Sequence, residues 1–407
     1  MSALPVPSEP APGEALPPPP LRIVPPAPAA PSGPLIHPPT ASSEDVRFDG
    51  AGQPARRSMP TSSQIVLLIP AHDEEVGIEA TMRSVEAQTV QPHRRIVVSD
   101  NSTDRTVEIA CSRPGWEVWE TVGNRGKKGG ALNQAWTVLE PSLRDCDYLL
   151  TMDADTILAP TFVDSALHKY QEERGRGLQL GGVCANFSGL PLDTALGVLQ
   201  MMEYARAAKI TRSRRGVAPV LAGAATMFAV GALRSVNRSR GHLYEPVLTE
   251  DYELSLALRI NGYMTLAPRA CKAQTDLMPT VRMLWAQRLR WYRGAFEALR
   301  SYGFRRGVRS DIGWLGFSLW AAASRWLFLF TLLYLVLTLG RVSFSPWLLL
   351  LFAFASLIRV LQVRELGWQY MLLAGVMVEE LYYAFFLEAV LWRSAYLAFL
   401  STGDTHW

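Results

Sequence analysis

Cysteine is scarce in this chain of 407 residues, and its four copies, Cys111, Cys146, Cys184 and Cys271, form no CxxC pair. That spacing argues against a thiolate zinc site and a disulfide framework, and suits reduced, buried thiols in a cytosolic compartment. Charge of one sign is also short: 40 Lys and Arg against 37 Asp and Glu leave a net +3. Bulk charge therefore gives no reason to expect a nucleic acid partner. GxxxxGK[ST] and GxGxxG are both missing, so neither a Walker phosphate loop nor a nicotinamide site is expected. The N-terminus has no basic flank and no apolar core, so no signal peptide is expected. Long apolar runs do not occur before residue 312.

Proline is present in excess, in one place. Residues 1–60 hold more than half of the 28 prolines, with Ala, Ser and Gly between them. Such a segment buries too little apolar surface to offset chain entropy, so it reads as a disordered tail. Deleting it should leave turnover nearly intact.

From Gln64 the texture changes. IVLLIP (65–70), RIVVSD (95–100), WEVWE (116–120), YLLTMD (148–153), GGVCANF (181–187) and ATMFAV (225–230) are short apolar runs. Helical patterns and polar turns separate them, which predicts an α/β domain with a mostly parallel sheet. Ligands in such sheets bind outside the carboxyl ends of the strands. Asp73, Glu74, Asp100, Asp153 and Asp155 fall there. The catalytic domain is placed at residues 64–280.

Residues 312–400 carry the long apolar runs, with candidate spans at 319–340, 344–363 and 369–391. The third is interrupted by Glu379, Glu380 and Glu388, and carboxylates in a bilayer face protein or water. It is therefore a bundled helix or one lying in the interface, and the region holds two or three membrane helices. Before it, 281–310 reads as an amphipathic interface helix with apolar Leu284, Trp285, Tyr292, Phe296 and Leu299. Eight arginines between Arg282 and Arg309 are opposed only by Glu297. A basic segment preceding a span marks the cytoplasmic side, so a multi-pass membrane protein with a cytoplasmic catalytic domain is expected.

Four stretches carry candidate chemistry. TMDADTI (151–157) sets two carboxylates around one small residue, a pattern that suits a hard divalent cation bridging to phosphate. NRGKKGGALNQAW (124–136) sets Lys128 beside glycines at a helix start, suited to a phosphate. VLTEDYELSLALRINGY (247–263) opens a helix with Glu250 and Asp251, candidates for a general base. WAQRLRWYRG (285–294) packs Gln287, Arg290 and Trp291 into one basic helix. Taken singly, the first three also describe a polar turn, a solvated basic loop and acidic residues at a helix N-terminus.

Together and in this order they resemble the membrane-bound branch of the family 2 glycosyltransferases, which includes poly-N-acetylglucosamine, cellulose and hyaluronan synthases. PAHDEE (70–75) is similar to that family's PAYNEE, SDNSTDRT (99–106) to DDGSTDxT, and KKGGALN (127–133) to KAGALN. MDAD resembles its DxD, TED (249–251) its TED, and QRLRW (287–291) its QxxRW. His72, Asp73 and Ser99 stand where the family has Tyr, Asn and a first Asp. The likeness covers about residues 64–300.

The resemblance implies a GT-A fold and an inverting, metal-dependent transfer from a UDP-sugar, UDP-GlcNAc or UDP-glucose, to a growing polysaccharide or other glycan. A non-processive transfer to a lipid or cell-surface acceptor is the alternative. Pro70, Ala71, Glu74 and Asp100 would hold the nucleoside, and Lys128 would sit near the nucleotide. Asp153 and Asp155 would hold the sugar and a Mg²⁺ or Mn²⁺. Asp251 would be the base, with Glu250 beside it. Gln287, Arg290 and Trp291 would line the acceptor and diphosphate region. Arg282, Arg300, Arg305, Arg306 and Arg309 are left for the membrane surface, and Arg288 and Arg293 for either role. With three spans at most, a secreting pore would need an oligomer.

Overall fold

The computed structural model describes residues 21–25, 63–339 and 346–400. Its strands are β1 (Arg22–Val24), β2 (Ile65–Ala71), β3 (Arg94–Ser99), β4 (Glu117–Glu120), β5 (Tyr148–Met152), β6 (Ile157–Leu158), β7 (Leu180–Cys184), β8 (Asn186–Gly189), β9 (Ala225–Ala229), β10 (Met264–Leu266) and β11 (Lys272–Thr275). Its helices are α1 (Ile78–Glu86), α2 (Thr106–Cys111), α3 (Lys127–Leu139), α4 (Phe162–Gly175), α5 (Ala195–Ser213), α6 (Val230–Arg240), α7 (Glu250–Ile260), α8 (Val281–Tyr302), α9 (Arg309–Leu339), α10 (Pro346–Val363), α11 (Trp368–Val376) and α12 (Val378–Phe399).

The main sheet runs β1-β4-β3-β2-β5-β9-β7-β10. β4, β3, β2 and β5 are parallel, as are β7 and β10. β9 runs antiparallel to both its neighbours, and β1 is antiparallel to β4. The sheet is thus mostly parallel, as expected, with one reversed strand inside it.

All seven residues of β2 are buried. Its side chains alternate between two cores, as a period of two requires. Ile65, Leu67 and Ile69 meet α1 and α4 through Met82 and Phe162. Val66 and Leu68 meet α3, α6 and α7 through Leu132, Leu233 and Leu254. Helices on both faces explain why the strands read as unbroken apolar runs. The stretch 181–187 is two strands, not one: β7 belongs to the main sheet, and β8 to a small sheet ordered β6-β11-β8.

The tail expectation needs correction at one point. Arg22–Val24 is a strand on the sheet edge; residues 1–20 and 26–60 lie outside the described residues. The pairing was hidden because three residues amid prolines carry no periodic signal.

α8 is capped by the Thr280 side chain and ends at Gly303, whose φ is 62°. It packs along α12 through Trp285–Phe386 and Phe296–Phe399 ring contacts. Among the described residues, one helix is long and apolar enough to cross a membrane, Arg309–Thr338. The third predicted span is broken: Trp368–Val376 and Leu381–Phe399 meet at 73°, around Met377 at φ 61°. Glu388 in that segment pairs with Arg325 of α9 at 3.0 Å. The predicted spans at 319–340 and 344–363 both run into 340–345, which lies outside the described residues.

Candidate active site

Pro70, Ala71, Glu74, Asp100, Asp153 and Asp155 gather at the carboxyl ends of β2, β3 and β5. Pro70 and Ala71 close β2. His72 and Asp73 then turn the chain, with Asp73 at φ 54°. The Asp73 carboxylate accepts from the Thr103 amide at 2.7 Å, and the Glu74 amide donates to Thr106 Oγ1 at 2.8 Å. The loops after β2 and β3 are therefore stitched together. Asp100, which is buried, receives three donors on Oδ1: Thr121 Oγ1 at 2.8 Å, Asn124 Nδ2 at 2.7 Å and Asn101 Nδ2 at 2.9 Å.

Asn124 also explains the glycines of KKGG. Its Oδ1 accepts from the Gly126 amide, and a β-carbon on Gly130 would lie 2.0 Å from that oxygen. The turn thus fixed starts α3 and aims Lys128 inward. Lys128 Nζ lies 2.5 Å from Asp153 Oδ1 and 3.2 Å from Glu250 Oε1. Burial works against its charge, but Asp153, Glu250 and Asp251 outweigh burial and hold the ammonium well above its ordinary range.

The Asp153–Asp155 turn is braced from behind by α1. Thr81 Oγ1 donates to the Ala154 carbonyl at 2.6 Å, and Gly77 lets the helix approach to van der Waals contact. Burial, then the charges of Asp153 and Asp276, push the Asp155 carboxyl up to about 6. Glu74 rises to about 7 for the same reasons, with burial first and then Asp155, Asp153 and Asp276. Among the described residues no group of three or more His, Cys, Asp or Glu side chains forms a complete metal cage. A cation that keeps its waters and bridges to a diphosphate needs only one or two carboxylates. The crowded negative charge on Asp155 is what a divalent cation would relieve, so the residues fit one.

Asp251 sits in the first turn of α7. Its Oδ1 accepts from the Tyr252 amide at 2.7 Å and its Oδ2 from the Gly223 amide at 3.1 Å. Burial, then Glu250, push its carboxyl up to about 6 against the pull of Lys128 and those two amides. Gly223 ties the cluster together. A β-carbon there would lie 2.6 Å from Lys128 Nζ and 3.4 Å from Asp153 Oδ2.

α8 passes behind α7 at Gly294, where a β-carbon would lie 2.4 Å from Thr249 Oγ1. Gln287, Arg290 and Trp291 share a helix face by their i, i+3, i+4 spacing. Gln287 and Trp291 are half-buried and Arg290 is exposed. Arg288, left open by the sequence, is a buried structural residue: it is 1 % exposed and bonds Glu203 of α5 at 2.8 and 3.2 Å. Its guanidinium lies 4.3 Å from the centre of the Trp291 ring, and Tyr383 of α12 donates to the same Glu203 at 2.5 Å. Arg293 is likewise buried, paired with Glu297 at 2.6 Å. Of the arginines left for the membrane surface, Arg282, Arg300, Arg305, Arg306 and Arg309 are all exposed.

Gly223, Asp276 and Glu203 escaped sequence reasoning. Gly223 sits in LAGAA and Asp276 follows the short strand KAQT, and neither context carries a motif. Asn124 was inside a quoted stretch, yet only the fold shows that it reaches Asp100.

Comparison with known proteins follows the same lines. The family model "Glycosyl transferase family group 2" matches residues 148–389. A poly-beta-1,6-N-acetyl-D-glucosamine synthase of Staphylococcus aureus is 28 % identical over 242 residues, covering 58 % of this chain and 55 % of that protein. Its counterpart in Staphylococcus epidermidis is 28 % identical over 261 residues, covering 61 % and 60 %. The match thus spans little more than half of those relatives' length. A mannosyltransferase from Pyrobaculum calidifontis, solved with GDP-Man and Mn²⁺, superposes with a TM-score of 0.52 at 17 % identity, covering 84 % of this chain and 89 % of that one. That likeness shows the fold, the α/β arrangement of GT-A glycosyltransferases. On the family match, the chain belongs to glycosyl transferase family group 2.

Proposed function

We propose that this chain moves a sugar from a UDP-sugar, UDP-GlcNAc or UDP-glucose, to a growing polysaccharide or other glycan acceptor at a membrane, inverting the anomeric carbon. The observation that carries this reading is one cluster. Asp251, bonded to the Gly223 amide, lies beside Lys128 and Asp153 at the carboxyl edge of the sheet. A carboxylate free to take a proton stands next to a cation and a DxD turn.

In this reading Pro70, Ala71, Glu74 and Asp100 hold the nucleoside. Asp155 and Asp153 would hold Mg²⁺ or Mn²⁺, which when bound supplies positive charge to the leaving diphosphate. Lys128 and Arg290 add fixed positive charge where negative charge develops. Asp251 accepts the proton of the acceptor hydroxyl. The new bond forms from that oxygen to the anomeric carbon as the bond to the β-phosphate oxygen breaks, and UDP leaves with the electron pair. Gln287 and Trp291 position the acceptor, and an indole face suits the apolar side of a sugar ring. The names of the curated relatives favour UDP-GlcNAc as donor.

Membrane attachment is part of the proposal. Trp320, Leu327 and Tyr334 on α9 are each about two-thirds exposed; their burial in lipid would remove them from water. Arg300, Arg305 and Arg306 precede that helix and Arg309 opens it, a basic flank that favours a cytoplasmic catalytic domain. The test is product analysis by mass spectrometry and NMR after incubation with UDP-GlcNAc and UDP-glucose. A ladder of one β-linked sugar supports the reading. A single added sugar on a supplied lipid or glycan makes the chain a decorating transferase, and α-linked product removes the inverting mechanism.

A further inference from the structure

We infer that the N-terminal segment completes the nucleoside pocket in cis, with Arg22 as a residue that contacts the nucleobase of the donor. This rests on the nucleotide-sugar reading above and adds a residue to it. Without β1, β4 would be the edge of the sheet and would offer unpaired amides and carbonyls. β1 covers that edge in the register Arg22 to Glu120, Ile23 to Trp119 and Val24 to Val118. Leu21 packs on one core and Val24 on the other, so the strand is held from both faces of the sheet.

Its direction matters. Because β1 is antiparallel to β4, its first residue lies at the carboxyl end of β4, the end where ligands bind. A parallel strand would have placed Val24 there. Arg22 thereby becomes a wall of a cavity of about 310 Å³ that it shares with Asn101, Ser102, Thr121 and Gly123. That volume is at the lower end of small-molecule sites. Two of those residues, Asn101 and Thr121, donate to Asp100, so the cavity lies one residue away from the carboxylate assigned to the nucleoside.

The Arg22 side chain is 77 % exposed, and its contact with Glu120 is long, at 3.7 Å. Its donors therefore remain available to a ligand. A guanidinium is planar; it stacks on a heteroaromatic ring and donates to ring carbonyl oxygens, both features of a pyrimidine base. No lysine at this position would do both.

The experiment is titration of the full-length chain, in detergent, with UDP and with uridine, for wild type, Arg22→Ala, Arg22→Lys and a form lacking residues 1–25. Arg22→Ala keeps the strand and should weaken both ligands by about five- to tenfold, the scale of a partly exposed charged hydrogen bond. Uridine should lose as much as UDP, because the contact is to the nucleoside end, and kcat should stay unchanged while KM for the UDP-sugar rises by the same factor. Arg22→Lys should recover only part of the loss, and removal of residues 1–25 should weaken binding at least as much as Arg22→Ala. Unchanged UDP and uridine binding in Arg22→Ala and in the shortened form overturns the inference while leaving the UDP-sugar reading standing. A lower melting temperature with unchanged nucleoside binding also overturns it, because the strand would then only cover the edge. Failure of the wild type to bind UDP removes both.

Discussion

Replacing Asp251 by Asn separates chemistry from stability, because its carboxylate carries opposing terms. Burial and Glu250 raise its carboxyl from 3.8 to about 6. A folded-state pKa above the unfolded one stabilises the fold below the unfolded value, and that contribution is lost as pH rises through the folded value. Ionised Asp251 is therefore a load on the fold at neutral pH, at most about 3 kcal/mol at ~1.4 kcal/mol per unit. Asn removes that load. It also has one acceptor oxygen where Asp251 uses two, on Tyr252 and Gly223. Leaving one of those amides unpaired costs about 1–3 kcal/mol. The two offset each other to within about 2 kcal/mol, so the melting temperature should move by less than about 8 °C at ~2–4 °C per kcal/mol. Loss of a general base should lower kcat by about 10²–10⁴-fold. The assay is UDP release beside a thermal melt on the same preparation. A kcat within tenfold of wild type would refute Asp251 as the base. A collapse of the melt in parallel with kcat would refute the cancellation.

Other expectations follow from the same geometry. Because burial and Glu250 push the Asp251 carboxyl up, kcat/KM should fall about tenfold per unit of pH once the pH drops below its raised range, as the proton-accepting form is lost; a flat profile down to pH 5 counts against it. EDTA should stop transfer and Mn²⁺ or Mg²⁺ restore it, with Asp155→Asn needing more metal; full activity in EDTA removes the metal assignment. Glu203→Ala leaves Arg288 buried without its partner and should lower stability by about 3–5 kcal/mol, read as a lower melting temperature in detergent. Gly294→Ala gains about 1 kcal/mol of helix propensity but forces a β-carbon 2.4 Å from Thr249 Oγ1. Overpacking costs about 1–3 kcal/mol, so the variant should be less stable and less active; a stabilised, fully active variant would show that α8 has room to move.

Much of the α/β domain was legible because its strands are buried on both faces. Ile65–Ala71 and Tyr148–Met152 read as unbroken apolar runs for that reason. Strand direction was not legible: β9 has the same texture as its neighbours, and only connectivity makes it antiparallel. Short strands also escaped, since β6 has two residues and β1 three. In the site, Asp153, Asp155 and Asp251 stood out by motif, whereas Gly223 acts through its amide and leaves no side-chain signature. Arg288 and Arg290 differ by two positions in one basic run. The helix turns one inward to Glu203 and the other to solvent, a difference that charge counting misses.

The most direct test is UDP and GDP release by the full chain in detergent across a panel of UDP-sugars and GDP-sugars, with Mn²⁺ present. UDP release from UDP-GlcNAc or UDP-glucose, lost in Asp251→Asn, is the expected result. No release from any UDP-sugar, or release from GDP-mannose alone, would contradict it.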